Sequence, residues 1–225
     1  FFYAIIKIGD YMNILEIINK KKNKELLTKE ELSFAFNGYD KGDILDYQMA
    51  SLLMAITING LTEEEVFNLT EIFIESGEKV SFEGIDYVDK HSTGGIGDKT
   101  TLIVAPIVAS CGIPILKMSG RGLGHTGGTI DKLESIKDFK INLSIEEIKE
   151  SLIKNKIVLV GQSANIAPLD KKIYLLRDVT STVESIDLIA VSIMSKKIAL
   201  GAKNIVIDLK VGNGALVKNM DDAYL

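Results

Sequence analysis

A chain of 225 residues, 46% hydrophobic and 25% charged, has material for one sizeable core or two small ones and the balance of a globular protein. A net charge of −5 without a Lys/Arg-dense stripe argues against a nucleic-acid binder, and no apolar run reaches the roughly 18 residues that span a bilayer. The single cysteine, Cys111, excludes an internal disulfide and fits a reducing, cytoplasmic setting with neither membrane nor nucleic acid as partner.

The opening stretch, FFYAIIKIGDY at 1–11, is apolar but lacks the basic flank and small-residue cleavage site of a signal peptide. Clean helical patterning begins at Met12, so residues 1–11 are read as upstream of the functional protein. Residues 12–76 follow as four short helices with no strand between them. TKEE (Thr28 to Glu31) and TEEE (Thr62 to Glu65) are capping boxes, in which hydroxyl and carboxylate satisfy orphan N–H groups reciprocally. Asp46 is placed to cap YQMASLLMAITIN, and Gly60 and Gly77 to end helices. Lys20, Lys21, Lys22 and Lys24 read as a solvated helix end. The run MASLLMAITI is apolar on more than one face.

The register changes after Gly77. IDYV, IPILKM, FKIN and IVLVG are short apolar runs bounded by Gly, Asp or Ser. Between them lie the helical patterns DKTTLIVAPIVASCG, TIDKLES and SIEEIKESLIK, the last with a Ser144/Glu147 capping box and the first holding Cys111 as a core residue. Strands alternating with helices predict βαβ units. Residues 170–200 return to helix before NIVIDLKVG resumes strand character. The fold class is α/β: a small all-α domain plus an α/β domain with a largely parallel or mixed sheet, truncated where the chain stops at Leu225. The domain reading is a helical part at 12–76, an α/β part at 77–165, a second helical part at 166–201, and the start of the remaining α/β part at 202–225.

Two glycine-rich stretches, DKHSTGGIGDKT at 89–100 and KMSGRGLGHTGGTIDKLE at 117–134, each follow an expected strand and open a helix. Bare N–H groups and the positive end of a helix dipole gather an anion there. The first stretch offers Lys90, Ser92, Thr93, Thr100 and Thr101, the second Lys117, Ser119, Thr126 and Thr129, which together suit phosphate. Gly122 to Gly127 satisfies G-x-G-x-x-G, but FKIN ends in Asn142 rather than the acidic residue a dinucleotide fold requires. GGIGDKT breaks the Walker pattern with Asp98. His91 and His125 lack the further ligands that zinc needs. His91, between Lys90 and Ser92, is placed to touch a substrate, whereas His125 is read as fixing its loop. Only two of the 26 Lys and Arg residues are arginine, Arg121 and Arg177, and Lys cannot copy their planar fork.

DKHSTGGIGDKTT, SGRGLGHTGGTIDKLE, YLLRDVT and SIMSKK, in that order along the chain, resemble the motifs of the thymidine and pyrimidine-nucleoside phosphorylase family. The likeness runs from about Met12 to the end of the chain, and Lys117 before MSG looks like the pyrimidine-nucleoside branch. It implies reversible phosphorolysis of uridine, thymidine and deoxyuridine to free base and pentose 1-phosphate. Alternatives are a thymidine-restricted enzyme or a non-catalytic fragment. By matching position, the phosphate site is Lys90, Ser92, Thr101, Lys117, Ser119 and Thr129. The pyrimidine site is Arg177, Ser192, Lys196 and Tyr174, and the catalytic residues are His91, Arg177 and Lys196. Arg121 is read as bracing its loop. The resemblance further implies no organic cofactor, a potassium ion near Gly97 and Lys99, and a homodimer through the helical domain. The rival is an anthranilate-type phosphoribosyltransferase, which needs magnesium carboxylates that no acidic pair near the second loop supplies.

Overall fold

One chain builds two large cores, one among helices and one on a sheet, with a small third cluster of Ile130, Leu133 and Ile141, and crosses between the two large ones three times. The computed structural model describes residues 12–93, 98–120, 128–163, 165–215 and 217–224. Helices α1 (Ile14–Lys22), α2 (Lys29–Lys41), α3 (Asp46–Asn59) and α4 (Glu63–Glu75) come first. Both threonine capping boxes form, with Thr28 accepting from Glu31 N–H and Thr62 from Glu65 N–H. The cap of α3 differs from the expectation. Leu45 is its N-cap and donates its N–H to Gln48 Oε1 (3.0 Å), while Asp46 sits in the first turn and accepts from Tyr39 Oη (3.0 Å). The lysine-rich end of α1 is not wholly solvated either. Lys21 is buried and pairs with Glu65 at 2.8 Å, because α3 and α4 close over that turn.

These four helices cannot bury their apolar stripes alone. α8 (Pro168–Val179) and α9 (Ile186–Ala199) complete the layer. Leu169, Ile173, Leu188 and Val191 pack into one cluster with Leu32, Phe36, Leu52, Leu69 and Phe73.

The sheet has strand order β3-β2-β1-β4, and every pairing is parallel. Its strands are β1 (Val88–Ser92), β2 (Ile115–Ser119), β3 (Ile157–Gly161) and β4 (Asn204–Asp208). Parallel neighbours need long crossovers, which α5 (Lys99–Ser110), α6 (Thr129–Glu134) and α7 (Ile145–Asn155) supply. Leu116, Met118, Val158 and Val160 form the second core with Ile148 and Leu152, and Ala199 and Leu200 enter it from the end of α9. A short helix, α10 (Met220–Tyr224), ends the described chain.

Three expectations are corrected. IDYV gives β1 only its first residue, Val88, and the strand runs on through Asp89, Lys90, His91 and Ser92, since β1 pairs with β4 along that whole stretch. FKIN is no strand. It crosses the end of β3, buries Ile141, and accepts one hydrogen bond from Gly161 N–H at the Ile141 carbonyl (2.8 Å). Cys111 is exposed, because it is the C-cap of α5 rather than part of its packed face.

The crossings are tight. Glu78 N–H donates to the Asn165 carbonyl (2.7 Å) and Val80 N–H to the Ala199 carbonyl (2.8 Å). A Cβ on Gly77 would lie 2.2 Å from the Asn165 carbonyl oxygen, and one on Gly201, at φ +81°, would lie 2.4 Å from that of Val80.

Candidate active site

Side chains alternate across a strand, so β1 points Lys90 and Ser92 to one face and Asp89 and His91 to the other. Pairing of Val88 with Ile115 sets Lys90 beside Lys117 and Ser92 beside Ser119. The α5 face of this sheet therefore carries four of the six residues assigned to phosphate. The other two, Thr101 and Thr129, stand in the first turns of α5 and α6.

Lys90, Thr101, Lys117 and Thr129 converge on one group that the sequence reading passed over, the carboxylate of Asp98. Asp98 is the N-cap of α5, where a negative charge meets the positive helix end. Its Oδ2 accepts from the hydroxyls of Thr101 (2.6 Å) and Thr129 (3.0 Å), and Lys117 Nζ stands 3.3 Å away. Its Oδ1 accepts from Lys90 Nζ at 2.9 Å. Burial pushes the carboxyl up, but Thr101, Lys117 and Lys90 together outweigh it and hold the group well below the usual carboxylate range. These donors thus already gather one anion. Lys90 also reaches Asp208 on β4 (2.5 Å), and Lys117, only 2% exposed, donates to the Lys90 carbonyl (2.9 Å). Burial lowers the Lys117 ammonium against the pull of Asp98 and Asp89. Ser92 and Ser119 close the two strands, the first half-buried and the second buried.

The opposite face of β1 meets α9. His91 has a buried Nδ1 without a hydrogen-bond partner among the described residues, although the residue as a whole is only half-buried. Burial first, then Lys197, Lys117 and Lys196, keep its imidazole neutral, well below the ordinary histidine range. Lys117 belongs to the phosphate half of the site and Lys196 to the pyrimidine half, so His91 lies within reach of both.

The residues assigned to the pyrimidine gather on α8 and α9. Lys196 Nζ donates to Ser192 Oγ one helical turn away (2.8 Å) and to Asp170 Oδ2 (2.5 Å), an α8 carboxylate that no sequence motif flagged. Arg177 is 1% exposed, and its fork is spent on backbone: Nε on the Thr182 carbonyl (3.0 Å), one terminal nitrogen on Leu188 (3.0 Å), the other on Val183 (2.9 Å). It makes no ion pair with Asp178 among the described residues. Burial lowers its guanidinium to about 10. Tyr174 lies against it, ring centroid 5.9 Å from the guanidinium carbon, and burial raises the phenol.

The potassium assignment falls partly outside the described residues. Gly97 lies outside the described residues, as do Arg121 and His125. Lys99 opens α5, where the helix itself uses its carbonyl, and its side chain is exposed. Among the described residues no group of three or more His, Cys, Asp or Glu could hold a metal, and no helix is long and apolar enough to cross a membrane.

Residues 84–225 match the family model described as "Glycosyl transferase family, a/b domain", and residues 15–77 that of "Glycosyl transferase family, helical bundle domain". Over 214 residues the chain is 56% identical to a pyrimidine-nucleoside phosphorylase of Geobacillus stearothermophilus and 54% identical to one of Staphylococcus epidermidis. Each alignment covers 94% of this chain and 49% of the relative, so the chain spans about half the length of the curated relatives it matches. Among solved structures, anthranilate phosphoribosyltransferase from Thermus thermophilus superposes with a TM-score of 0.66 over 86% of this chain and 58% of that one. At 17% identity that likeness concerns the fold alone.

Proposed function

The chain belongs to the glycosyl transferase family whose helical-bundle and α/β domains it carries, and from that membership we propose that the whole protein is a pyrimidine-nucleoside phosphorylase. Its reaction moves a pentose from the pyrimidine N1 to inorganic phosphate. A phosphate oxygen forms the new bond to C1′, the C1′–N1 bond breaks with its electron pair going to the base, and the phosphate proton ends on the base.

The observation that carries this reading is the meeting of two half-sites at β1. On one side, two lysines and two threonines from separate elements gather an anion at Asp98. On the other, Lys196, bonded to Ser192, lies within electrostatic reach of His91. Relatives above 50% identity that bear the phosphorylase name support the same reading. In it, Lys90, Ser92, Thr101, Lys117, Ser119 and Thr129 position phosphate beneath C1′. Lys196 and Ser192, with Arg177 and Tyr174 behind them, stabilise charge growing on the leaving base. His91, neutral, serves as a hydrogen-bond partner to the nucleoside rather than as a charged acid. The test is release of uracil and thymine from uridine and thymidine by the full chain. Release should require phosphate, and release without it would mark a hydrolase instead.

We further propose a homodimer through the helical layer and a cytoplasmic location. Tyr47, Met54 and Ile58 lie one above another on α3 and are exposed, with Leu15 of α1 exposed as well. Such a stripe at helical spacing suits a second copy of the same layer. The lone free cysteine suits a reducing compartment.

A further inference from the structure

Lys197 closes the SIMSKK motif, yet the phosphorolysis reading gives it no role. It is fully buried near the end of α9, and its Nζ donates to Asp89 Oδ1 on β1 (2.9 Å) and to the Met118 carbonyl on β2 (2.9 Å). Burial works against both charges, lifting the Asp89 carboxyl and lowering the Lys197 ammonium to about 8. Asp89 Oδ2 is left without a partner among the described residues. A buried ion pair of this kind is a poor source of stability, since apolar residues of similar volume often do as well. What it supplies is direction: one atom of α9 is fixed to two adjacent strands at once.

The sequence neighbours of these three groups give that fixation its meaning. Lys197 follows Lys196, Asp89 precedes Lys90, and Met118 follows Lys117. Each buried group is thus one residue away from a cation of the site. Two of those cations belong to the phosphate half and one to the base half. α9 packs chiefly against α4 in the helical layer, so its side chains would otherwise be set by helix packing and not by the sheet. We propose that Lys197 is a positioning residue that holds the base half-site in register with the phosphate half-site. The proposal rests on the phosphorolysis reading and deepens it: binding of one substrate is communicated to the other through α9, the Lys197 ammonium and the two strands.

The experiment uses the full chain and compares wild type with Lys197→Met and with Lys197→Met/Asp89→Asn, the second variant removing the buried charge that the first would strand. Calorimetry measures the Kd of inorganic phosphate with and without saturating uracil, and steady-state kinetics measures uridine phosphorolysis. In wild type, uracil should tighten phosphate binding. In the double variant, phosphate alone should bind within about threefold of wild type, while the tightening by uracil disappears and kcat falls at least tenfold at little-changed KM. The proposal is overturned if the double variant retains coupling and kcat, if it loses phosphate binding outright, or if it fails to fold, which would assign the pair to stability. Absence of coupling in wild type also overturns it. Wild-type turnover is recorded beside these measurements. If it is absent, the functional reading fails, and the phosphate–uracil coupling still decides the role of Lys197.

Discussion

Lys117 donates its Nζ to the main-chain carbonyl of Lys90 at 2.9 Å, so the two lysines assigned to phosphate are tied side chain to backbone. Neither cation is loose: Asp98 pairs with both, and Asp208 adds a second carboxylate at Lys90. Asp98→Asn takes the nearest carboxylate from the buried Lys117, leaves Lys90 with Asp208 alone, and is expected to cost about 3 kcal/mol of stability, the scale for breaking a buried pair from one side. The Asp98 carboxyl is held low in the folded state. Its contribution is therefore complete above the ordinary carboxylate pKa and is lost as pH falls below it. Urea unfolding should show the gap between wild type and variant shrinking below about pH 4. Inorganic phosphate should raise the melting temperature of the variant more than that of wild type, since it replaces the missing anion. Equal shifts would mean that phosphate binds elsewhere.

His91 is held neutral when folded. Below about pH 6.5 the unfolded imidazole takes up a proton that the folded one refuses, so stability falls as pH drops from about 7 to 5. His91→Gln should flatten that part of the profile, read by chemical unfolding at each pH. An unchanged slope would show that His91 takes up its proton as readily in the fold as in the unfolded chain.

Arg177→Lys replaces three directed N–H donors with one flexible ammonium. At least two of the carbonyls of Thr182, Val183 and Leu188 then lose their partner in a buried setting, at about 1–3 kcal/mol each. A melting curve should show a marked loss of stability. If Arg177 also faces the base, kcat/KM for nucleoside falls about a hundredfold as well, measured below the variant's melting range. A variant that melts early but turns over normally confines Arg177 to bracing the turn between α8 and α9.

Gly201 combines a positive φ with backbone contact, and an added Cβ would meet the Val80 carbonyl at 2.4 Å. Gly201→Ala is expected to destabilise by about 3 kcal/mol through left-handed strain and overpacking. Gly42→Ala shares the positive φ but has open space around it, so it should cost about 1 kcal/mol. Equal losses in urea melts would discount the crossing contact.

Ile58 is 73% exposed on the apolar stripe of α3. Ile58→Asp leaves the core beneath untouched and should shift sedimentation from dimer to monomer at micromolar concentration. A wild type that sediments as a monomer would count against the stripe as an interface.

The helices and the parallel sheet were legible because capping boxes and short apolar runs are local signals, and Thr28, Thr62 and Ser144 cap where the sequence places them. FKIN misled because four apolar and polar residues in alternation describe a strand equally well as a chain that buries one residue, Ile141, in passing. At the site, the lysines and hydroxyls could be read from their spacing, but their partner anions could not. Asp98 carries a faint signal, a carboxylate three residues before Thr101 at a helix start. Asp170 and Asp208 carry none, since only the folded chain brings them to Lys196 and Lys90. Lys197 was hidden beside Lys196, because adjacent residues on a helix point in different directions and the sequence does not say which one reaches the sheet.

The helical core draws residues from two widely separated segments, joining α1–α4 to Leu169, Ile173, Leu188 and Val191. During synthesis the first four helices therefore emerge without the surface that completes them. The wait covers roughly 90 residues, or about 5–20 s at ordinary elongation rates. Phe36, Phe73 and Leu69 lack their final partners for that interval while the strands of the sheet are being made. A ribosome that stalls between Glu75 and Leu169 holds an open, apolar four-helix layer, which is the kind of surface that chaperones bind.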